Sequence, residues 1–219
     1  DIALEICLLL HAKVEDEVFV MRKIVIDGSN TSGFQRTALL ARDGFIETSK
    51  GRIKIASVCL EEEAAKNIKE EKNQRVWRLD RLGIPLVEIM TDASIVDPIH
   101  AKEVGEKIGM MLRSTSKVMR GIGSIRQDVN LSISDGKRIE IKGFQDIRTM
   151  PKVIEFEVKR QIDLLDKGIE IKAEVRKANE DGTTLYLRPL PGGARMYPET
   201  DIESIIITKG RLNKIVLPE

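Results

Sequence analysis

Between residues 123 and 144 (GSIRQDVNLSISDGKRIEIKGF), apolar and polar side chains alternate on both sides of the pair Asp135-Gly136. Two alternating runs around such a pair predict an antiparallel hairpin. Successive side chains of a strand point to opposite faces. Ile125, Val129, Leu131 and Ile133 therefore share one face, with Gln127 as the single polar intruder, and Arg126, Asp128, Asn130 and Ser132 share the other. In the second run Ile139 and Ile141 continue the apolar face, and Arg138, Glu140 and Lys142 the polar one. Two readings follow. The polar face is the wet side of an antiparallel sheet, or it is the floor of an active site whose carboxylates take a metal and whose cations take phosphate.

The bulk properties narrow the classes. A chain of 219 residues with 42% hydrophobic and 32% charged residues suits a globular protein with its own core, as one large domain or a domain with a small extension. Aromatics are only 4%, which argues for an aliphatic core and against aromatic base-stacking platforms. The balance of 36 basic and 35 acidic residues leaves a net charge of +1, so bulk charge does not announce a nucleic-acid binder. Cys7 and Cys59 lack metal-ligand spacing and fit a reducing compartment; no membrane-spanning run or signal-peptide pattern is present, and a cytoplasmic location is expected. The abundance of Lys, Glu, Arg and Ile leans toward a thermophile. The start at Asp1, within an apolar helical stretch, reads as the interior of a longer element.

In chain order, residues 1–13 read as a buried helix end, with His11 as a packing or surface residue, and residues 18–27 as a strand. The loop 28–33 (GSNTSG) matches no nucleotide fingerprint. Residues 36–41, 44–48 and 51–60 read as three strands of a meander, with turns at 42–44 and 49–51. The acids Glu61, Glu62 and Glu63 after the third strand are either the start of a helix, where acids favour the dipole, or metal ligands at a strand end. Glu88 lies inside the apolar run 84–90, where a carboxylate needs a partner because burying its charge unpaired costs several kcal/mol. Asp97-Pro98 marks a helix start, followed by Ile99, Val104, Ile108, Met111 and Leu112 at helical spacing. A second helix covers 150–165 with Val153, Ile154, Phe156, Val158, Ile162 and Leu165 as its apolar stripe. From residue 169 the pattern weakens and becomes charged, with Arg188 and Arg195 in a stretch rich in Pro and Gly.

Glu61, Glu62, Glu88, Asp128 and Glu140 all fall on strands or strand ends, accompanied by Arg36, Arg126, Lys142, Arg188 and Arg195. Several carboxylates with few His or Cys select a hard cation such as magnesium. Magnesium beside Arg and Lys is what phosphoryl transfer from ATP requires. The residues alone thus point to a magnesium- and ATP-dependent kinase or ligase of the α+β class, a mostly antiparallel sheet with flanking helices. A small-molecule ligase or phosphotransferase and a non-catalytic scaffold for a partner protein remain the alternatives.

The runs VMRKIVIDGSNTSGFQRT, CLEEEAAKN, LDRLGIPLVEIMTD, GSIRQDVNLSI, RIEIKGFQDIRTMPKVIEFEVKRQ and RPLPGGARMYPETDI resemble, in the same order and over nearly the whole chain, a family of tRNA-dependent amidotransferase proteins. Its members are the E subunits of the archaeal glutamyl-tRNA(Gln) amidotransferases and the B subunits of the bacterial and organellar enzymes. The resemblance implies a cradle domain related to glutamine synthetase and guanidino kinases, with residues 1–168 as its main part and 169–219 as a return segment. It implies ATP-dependent activation of the side-chain carboxylate of Glu-tRNA(Gln) to a γ-glutamyl phosphate. Ammonia from an asparaginase-like D subunit, in a heterotetramer of two D and two E subunits, then displaces phosphate. Mapped onto this sequence, the resemblance implies Glu61, Glu62, Glu88 and Glu140 as magnesium ligands. Arg126, Asp128 and Lys142 are implied as catalytic residues and Ser124 and Asn130 as nucleotide contacts, and Arg36 and Arg195, from the charged cluster above, are the further candidate nucleotide contacts. Three departures accompany it. A Gly-x-Glu-Ile-His segment expected near the N-terminus is absent, an inserted domain expected between the helix at 160–165 and the stretch at 176–182 is replaced by about ten residues, and the C-terminal domains expected to grip tRNA are absent.

Overall fold

The two long alternating runs between residues 34 and 62 form the centre of the largest sheet. In the computed structural model, which describes residues 1–218, the chain begins with α1 (Ile2–Leu9), β1 (Lys13–Val14), β2 (Glu17–Val18), β3 (Val20–Ile24), β4 (Phe34–Thr48) and β5 (Gly51–Glu62). It continues with β6 (Lys66–Glu71), β7 (Gln74–Arg78), β8 (Pro85–Thr91), α2 (Pro98–Ser114), β9 (Val129–Leu131) and β10 (Ile139–Lys142). A short 3-10 turn (Ile147–Thr149) leads into α3 (Met150–Asp166), followed by β11 (Glu174–Ala178), β12 (Thr184–Pro189), β13 (Met196–Pro198), β14 (Ile205–Ile206) and α4 (Lys209–Leu212). The fold is α+β and mostly antiparallel, as the sequence predicts. It divides into two compact units, one of Asp1–Glu47, Arg52–Ser94 and Gly193–Glu219, the other of Thr48–Gly51 and Ile95–Gly192. The expected boundary at residues 168 and 169 falls inside the second unit, between α3 and β11.

In the first unit the main sheet runs β13-β3-β4-β5-β8, and β1 also pairs with β4. Its core is aliphatic: Ala38, Leu40, Ala41 and Ile46 of β4 and Ile53, Ile55 and Val58 of β5 are buried, as are Leu4, Ile6, Cys7 and Leu10 at the N-terminus. The predicted turn at 42–44 is not a chain reversal. β4 runs unbroken through it, with Asp43 at φ 55° and both Arg42 and Asp43 exposed, so the alternation slips by one residue. The cause is the end of α1, where Phe45 N donates to Leu10 O at 2.8 Å and an added Cβ on Gly44 would stand 2.5 Å from the same oxygen. His11 stacks on Phe45 at 4.5 Å between ring centroids, a packing role. The strand predicted for 18–27 breaks after Val18 and ends at Ile24. The acids after residue 60 do not open a helix, because β5 continues through Glu62.

The second unit holds the predicted hairpin. β9 and β10 pair antiparallel with Leu131 opposite Ile139, Asn130 opposite Glu140 and Val129 opposite Ile141. It is shorter than the alternation suggests, and its connection is a seven-residue loop in which Asp135 takes φ 61° and Gly136 N donates to Ile133 O at 3.1 Å. The four-stranded sheet runs β12-β11-β10-β9, and its one parallel pair, β10 with β11, is bridged by α3. Parallel neighbours need such a crossover. Ile139, Ile141, Val153, Ile171 and Ala178 form the core beneath α3. α2 starts where the sequence places it, with the Asp97 carboxylate accepting from His100 N at 2.9 Å. The buried stripe of α3 differs from the predicted one, since Met150, Val153, Ile154, Glu157 and Gln161 face inward while Phe156 and Ile162 stay exposed. Among the described residues no helix is long and apolar enough to cross a membrane.

Candidate functional site

In the first unit, strand register sorts the predicted acids onto two faces. Residues directly opposite each other on paired strands share a face, and consecutive residues do not. Glu61 lies opposite Leu86 and Cys59 opposite Glu88, so Cys59, Glu61 and Glu88 share one face, and Glu62, opposite Pro85, faces the other way. Glu61 and Glu62 are therefore separated by the sheet they sit in. Glu61 is buried and accepts from Lys23 Nζ at 2.6 Å and from Gln35 Nε2 at 3.3 Å. Gln35 also donates to the Glu62 carbonyl at 2.6 Å, which fixes the strand end. Burial, reinforced by the charges of Glu88 and Glu61, pushes the Cys59 thiol above its ordinary range. The sequence places Glu88 in an apolar interior. The structure places its side chain in an exposed position, on β8 at the edge of the sheet, a strand in which no residue is fully buried.

The opposite face carries a cluster that the sequence reading only half foresaw. Arg22 on β3 stands directly opposite Arg36 on β4. Like charges in that position repel. Both guanidiniums lie over the Phe34 ring, at 4.8 and 5.3 Å from its centroid, a favourable cation–π placement. Both also bind Glu199, whose side chain is wholly buried. Arg36 Nε donates to Oε2 at 2.9 Å and Arg22 Nη2 donates to Oε1. Arg36 reaches Glu62 Oε1 at 3.1 Å, and Arg22 reaches Asp201 Oδ2 at 3.2 Å. The Arg22 hydrogen bond, then that of Arg36, draws the Glu199 carboxyl down to about 2 against the opposing effect of burial. The same bonds hold both guanidiniums above their ordinary range. Neither Glu199 nor Arg22 stood out in the sequence. The signal available was the acidic pair Glu199 and Asp201 just after Pro198, on a segment that pairs with β3 through β13. Arg195 is exposed, and its carbonyl accepts from Ile24 N at 2.9 Å.

In the second unit the hairpin's polar face is assembled as the alternation implies. Lys142 Nζ binds Asp128 Oδ2 at 2.6 Å and Glu140 Oε1 at 2.5 Å, and Asn130 stands opposite Glu140. Burial lowers the Lys142 ammonium, but hydrogen bonds to Asp128 and Glu140 outweigh it and the net shift is upward. Arg126 is exposed, and the Ser124 hydroxyl donates to Gly121 O at 2.7 Å, closing a local turn.

Among the described residues no three His, Cys, Asp or Glu side chains are arranged to hold a metal ion. Magnesium arriving on a nucleotide needs only one or two carboxylates besides the phosphates, and Asp128 and Glu140, which already converge on one cation, are a donor pair of that kind.

Comparison with known proteins identifies the family. The family model described as the GatB/GatE catalytic domain matches residues 1–213. The E subunit of glutamyl-tRNA(Gln) amidotransferase from Methanothermobacter thermautotrophicus is 57% identical over 166 residues, 76% of this chain and 27% of the relative. That of Methanocaldococcus jannaschii is 56% identical over 180 residues, 82% of this chain and 28% of the relative. That of Archaeoglobus fulgidus is 36% identical over 346 aligned positions, spanning 100% of this chain and 56% of the relative. The last alignment is longer than the chain, so the relative carries residues inside the matched span that have no counterpart here. The chain spans little more than half of the relative it covers furthest and under a third of the other two. On the extent of the match and the level of identity, the chain belongs to the GatB/GatE catalytic-domain family.

Proposed function

We propose that this chain is the catalytic portion of a tRNA-dependent amidotransferase that uses ATP to convert Glu-tRNA(Gln) to Gln-tRNA(Gln) through a γ-glutamyl phosphate. The reading draws on the family, on relatives named as subunits of glutamyl-tRNA(Gln) amidotransferase, and on one observation above the others: Arg22 and Arg36 are held side by side on a single buried carboxylate. Two guanidiniums fixed in this way are preorganised donors for phosphate oxygens, and such preorganisation stabilises charge as it develops. Lys142, between Asp128 and Glu140, is a third fixed cation, suited to a phosphate or the substrate carboxylate. A carboxylate accepts ammonia only once its oxygen has been made a leaving group, and phosphorylation does this. The γ-phosphorus–oxygen bond to ADP breaks and the new acyl–phosphate bond forms. Ammonia then attacks the acyl carbon, phosphate departs, and the amide remains after loss of a proton. Magnesium, when bound with ATP at Asp128 and Glu140, would neutralise phosphate charge. The ammonia source is proposed to be an asparaginase-like partner protein, two copies with two of this one, and the setting cytoplasmic.

The test uses the full-length protein with ammonium chloride as nitrogen donor, so that the outcome does not depend on the partner. Arg36→Lys, Asp128→Asn and Glu140→Gln are each expected to lower Gln-tRNA formation ~100-fold or more, measured at a temperature where circular dichroism shows each variant folded. Near-normal Gln-tRNA formation by all three overturns the site assignment. ATP turnover with free glutamate in place of Glu-tRNA(Gln) would instead favour a small-molecule ligase.

A further inference from the structure

The four-stranded sheet of the second unit carries two cations that the site above leaves unused. Register places them. Lys142 of β10 stands beside Lys177 of β11, Glu140 stands beside Val175, and Arg188 of β12 pairs with Val175 from the other side. Residues opposite each other on neighbouring strands share a face, as do residues two apart along one strand. Glu140, Lys142, Lys177 and Arg188 therefore lie on one face. Glu174 and Arg176 lie on the other, where they meet Arg160 and Glu157 of α3. Lys142 is held between Asp128 and Glu140. Lys177 and Arg188 are exposed, and among the described residues neither has an ion-pair partner.

The charge balance gives these two cations a use. Two carboxylates against one ammonium leave Asp128, Glu140 and Lys142 with a net negative charge, which by itself repels a polyphosphate. Magnesium offsets that charge, but the triphosphate it accompanies is itself anionic and needs donors of its own. Lys177 and Arg188 are the free donors on the same face.

A cavity adjoins Lys177. It has a volume of about 440 Å³ and is lined by Gln145, Lys177, Ala178, Asn179, Glu180 and Asp181. Ligand pockets run roughly 300–1,000 Å³. The cavity lies at the carboxyl ends of β10 and β11, the parallel pair of the sheet, and crevices at the carboxyl ends of parallel strands are where nucleotides bind in open α/β sheets. Gly143, just past β10, leaves room for Lys177 to lie close: an added Cβ there would stand 3.6 Å from Lys177 Cγ. The turn that forms the far wall is braced, with Gly182 N donating to Asn179 O at 3.0 Å and the Thr183 hydroxyl to Asp181 Oδ1 at 2.6 Å. Glu180 on that wall is exposed, an acceptor of the kind that takes ribose hydroxyls. The signs are thus separated along the cavity, with cations at the sheet and acids at the turn.

We infer that Lys177 and Arg188 bind the phosphates of a nucleotide whose nucleoside lies in the crevice between Gln145 and the turn at 179–183. The inference deepens the amidotransferase reading and rests on it for the choice of ATP as the nucleotide. Its test is arranged so that the two can fail separately.

The full-length protein is titrated calorimetrically with MgATP, without tRNA or ammonia. K177Q/R188Q is expected to bind about tenfold or more weakly than the parent, as the loss of charge-assisted hydrogen bonds implies. K177R is expected to bind as the parent does. Q145A, in the crevice wall, should weaken MgATP and leave magnesium tripolyphosphate unchanged. In amidation assays with ammonium chloride, K177Q/R188Q should raise KM for ATP and leave KM for Glu-tRNA(Gln) where the parent has it. Unchanged MgATP affinity in K177Q/R188Q overturns the inference, as does an equal loss in K177R. A rise confined to the KM for Glu-tRNA(Gln), with MgATP binding intact, also overturns it and gives the two cations to the acceptor. Equal effects of Q145A on both probes overturn the placement of the nucleoside. Should the double variant melt early, K177Q alone carries the test with the same expected direction. A parent that binds MgATP through Lys177 and Arg188 yet forms no Gln-tRNA sinks the amidotransferase reading and leaves this inference standing. A parent that forms Gln-tRNA while K177Q/R188Q binds MgATP unchanged does the reverse.

Discussion

Arg36 Nε meets the buried carboxylate of Glu199 at 2.9 Å, joining the centre of the first unit's sheet to a segment 163 residues further along the chain. Through the same carboxylate Arg36 is held beside Arg22. Glu199 is therefore a positioning residue: it fixes two like charges that would otherwise part.

Replacing Glu199 by Gln is expected to destabilise the protein at neutral pH and to separate the two guanidiniums. The pH dependence carries the sign. The folded carboxyl titrates at about 2, below its ordinary value of 4.5. The stabilisation it gives is thus complete above the ordinary value and lost as pH falls from there through about 2. Thermal melts of parent and E199Q from pH 7 to pH 2 should show a gap that is constant to about pH 5 and closes below it. A gap that persists unchanged at pH 2 would count against the charge pairing.

Glu157 presents the equivalent situation inside the second unit. Its side chain is fully buried, binds Arg160 at 2.7 Å and Arg176 at 3.3 Å, and accepts from the Thr184 hydroxyl at 2.9 Å. Glu174 bridges the same two arginines. Removing one partner of a buried pair leaves an uncompensated charge, at a cost of ~3–5 kcal/mol. Urea unfolding of E157Q should show a loss of that order. A loss within experimental error would mean that Glu174 alone satisfies both arginines.

The same network explains much of what could and could not be read in the sequence. The hairpin faces were legible because period-two alternation maps directly onto a strand, and Ile139 and Ile141 are indeed buried while Glu140 and Lys142 face the polar side. β11 was not legible. Its charged residues Glu174 and Arg176 are inward-facing members of a balanced network, and hydrophobicity reads them as surface. Glu157 and Gln161 hide the inner stripe of α3 in the same way, leaving Phe156 and Ile162 to suggest a false one. Glu88 misled in the opposite direction, because an outer strand can be apolar without any of its residues being fully buried. The divergence of Glu61 and Glu62 required knowing that β5 continues past Leu60, and three successive acids do not reveal this.

Gly44 tests the slip in β4. The atoms nearest an added Cβ are Leu10 O at 2.5 Å, Ala12 Cβ at 2.8 Å and Ala12 Cα at 3.0 Å, two of the three being backbone that cannot swing aside. Gly44→Ala is expected to cost ~1–3 kcal/mol by overpacking. Gly192→Ala, which meets nothing within 4 Å, is the control and should be close to neutral. Chemical denaturation of the two variants decides it. Equal stability would mean that the end of α1 shifts to make room, and the continuous strand would then not depend on glycine at this position.

Lys142 links the hairpin's geometry to a measurable titration. Its ammonium is raised by Asp128 and Glu140 in spite of burial. A raised lysine stabilises the fold fully below its unfolded value of ~10.4 and ceases to do so as pH climbs through the folded value. Lys142→Met should therefore melt below the parent across pH 6 to 9, with the two curves converging only in strongly alkaline solution. The double variant D128N/E140Q removes the acids that raise it and should move that convergence to lower pH. If D128N/E140Q leaves the alkaline limb where the parent has it, the two carboxylates do not hold Lys142 in solution. The proposed use of that cation against a phosphate or a substrate carboxylate would then lose its structural basis.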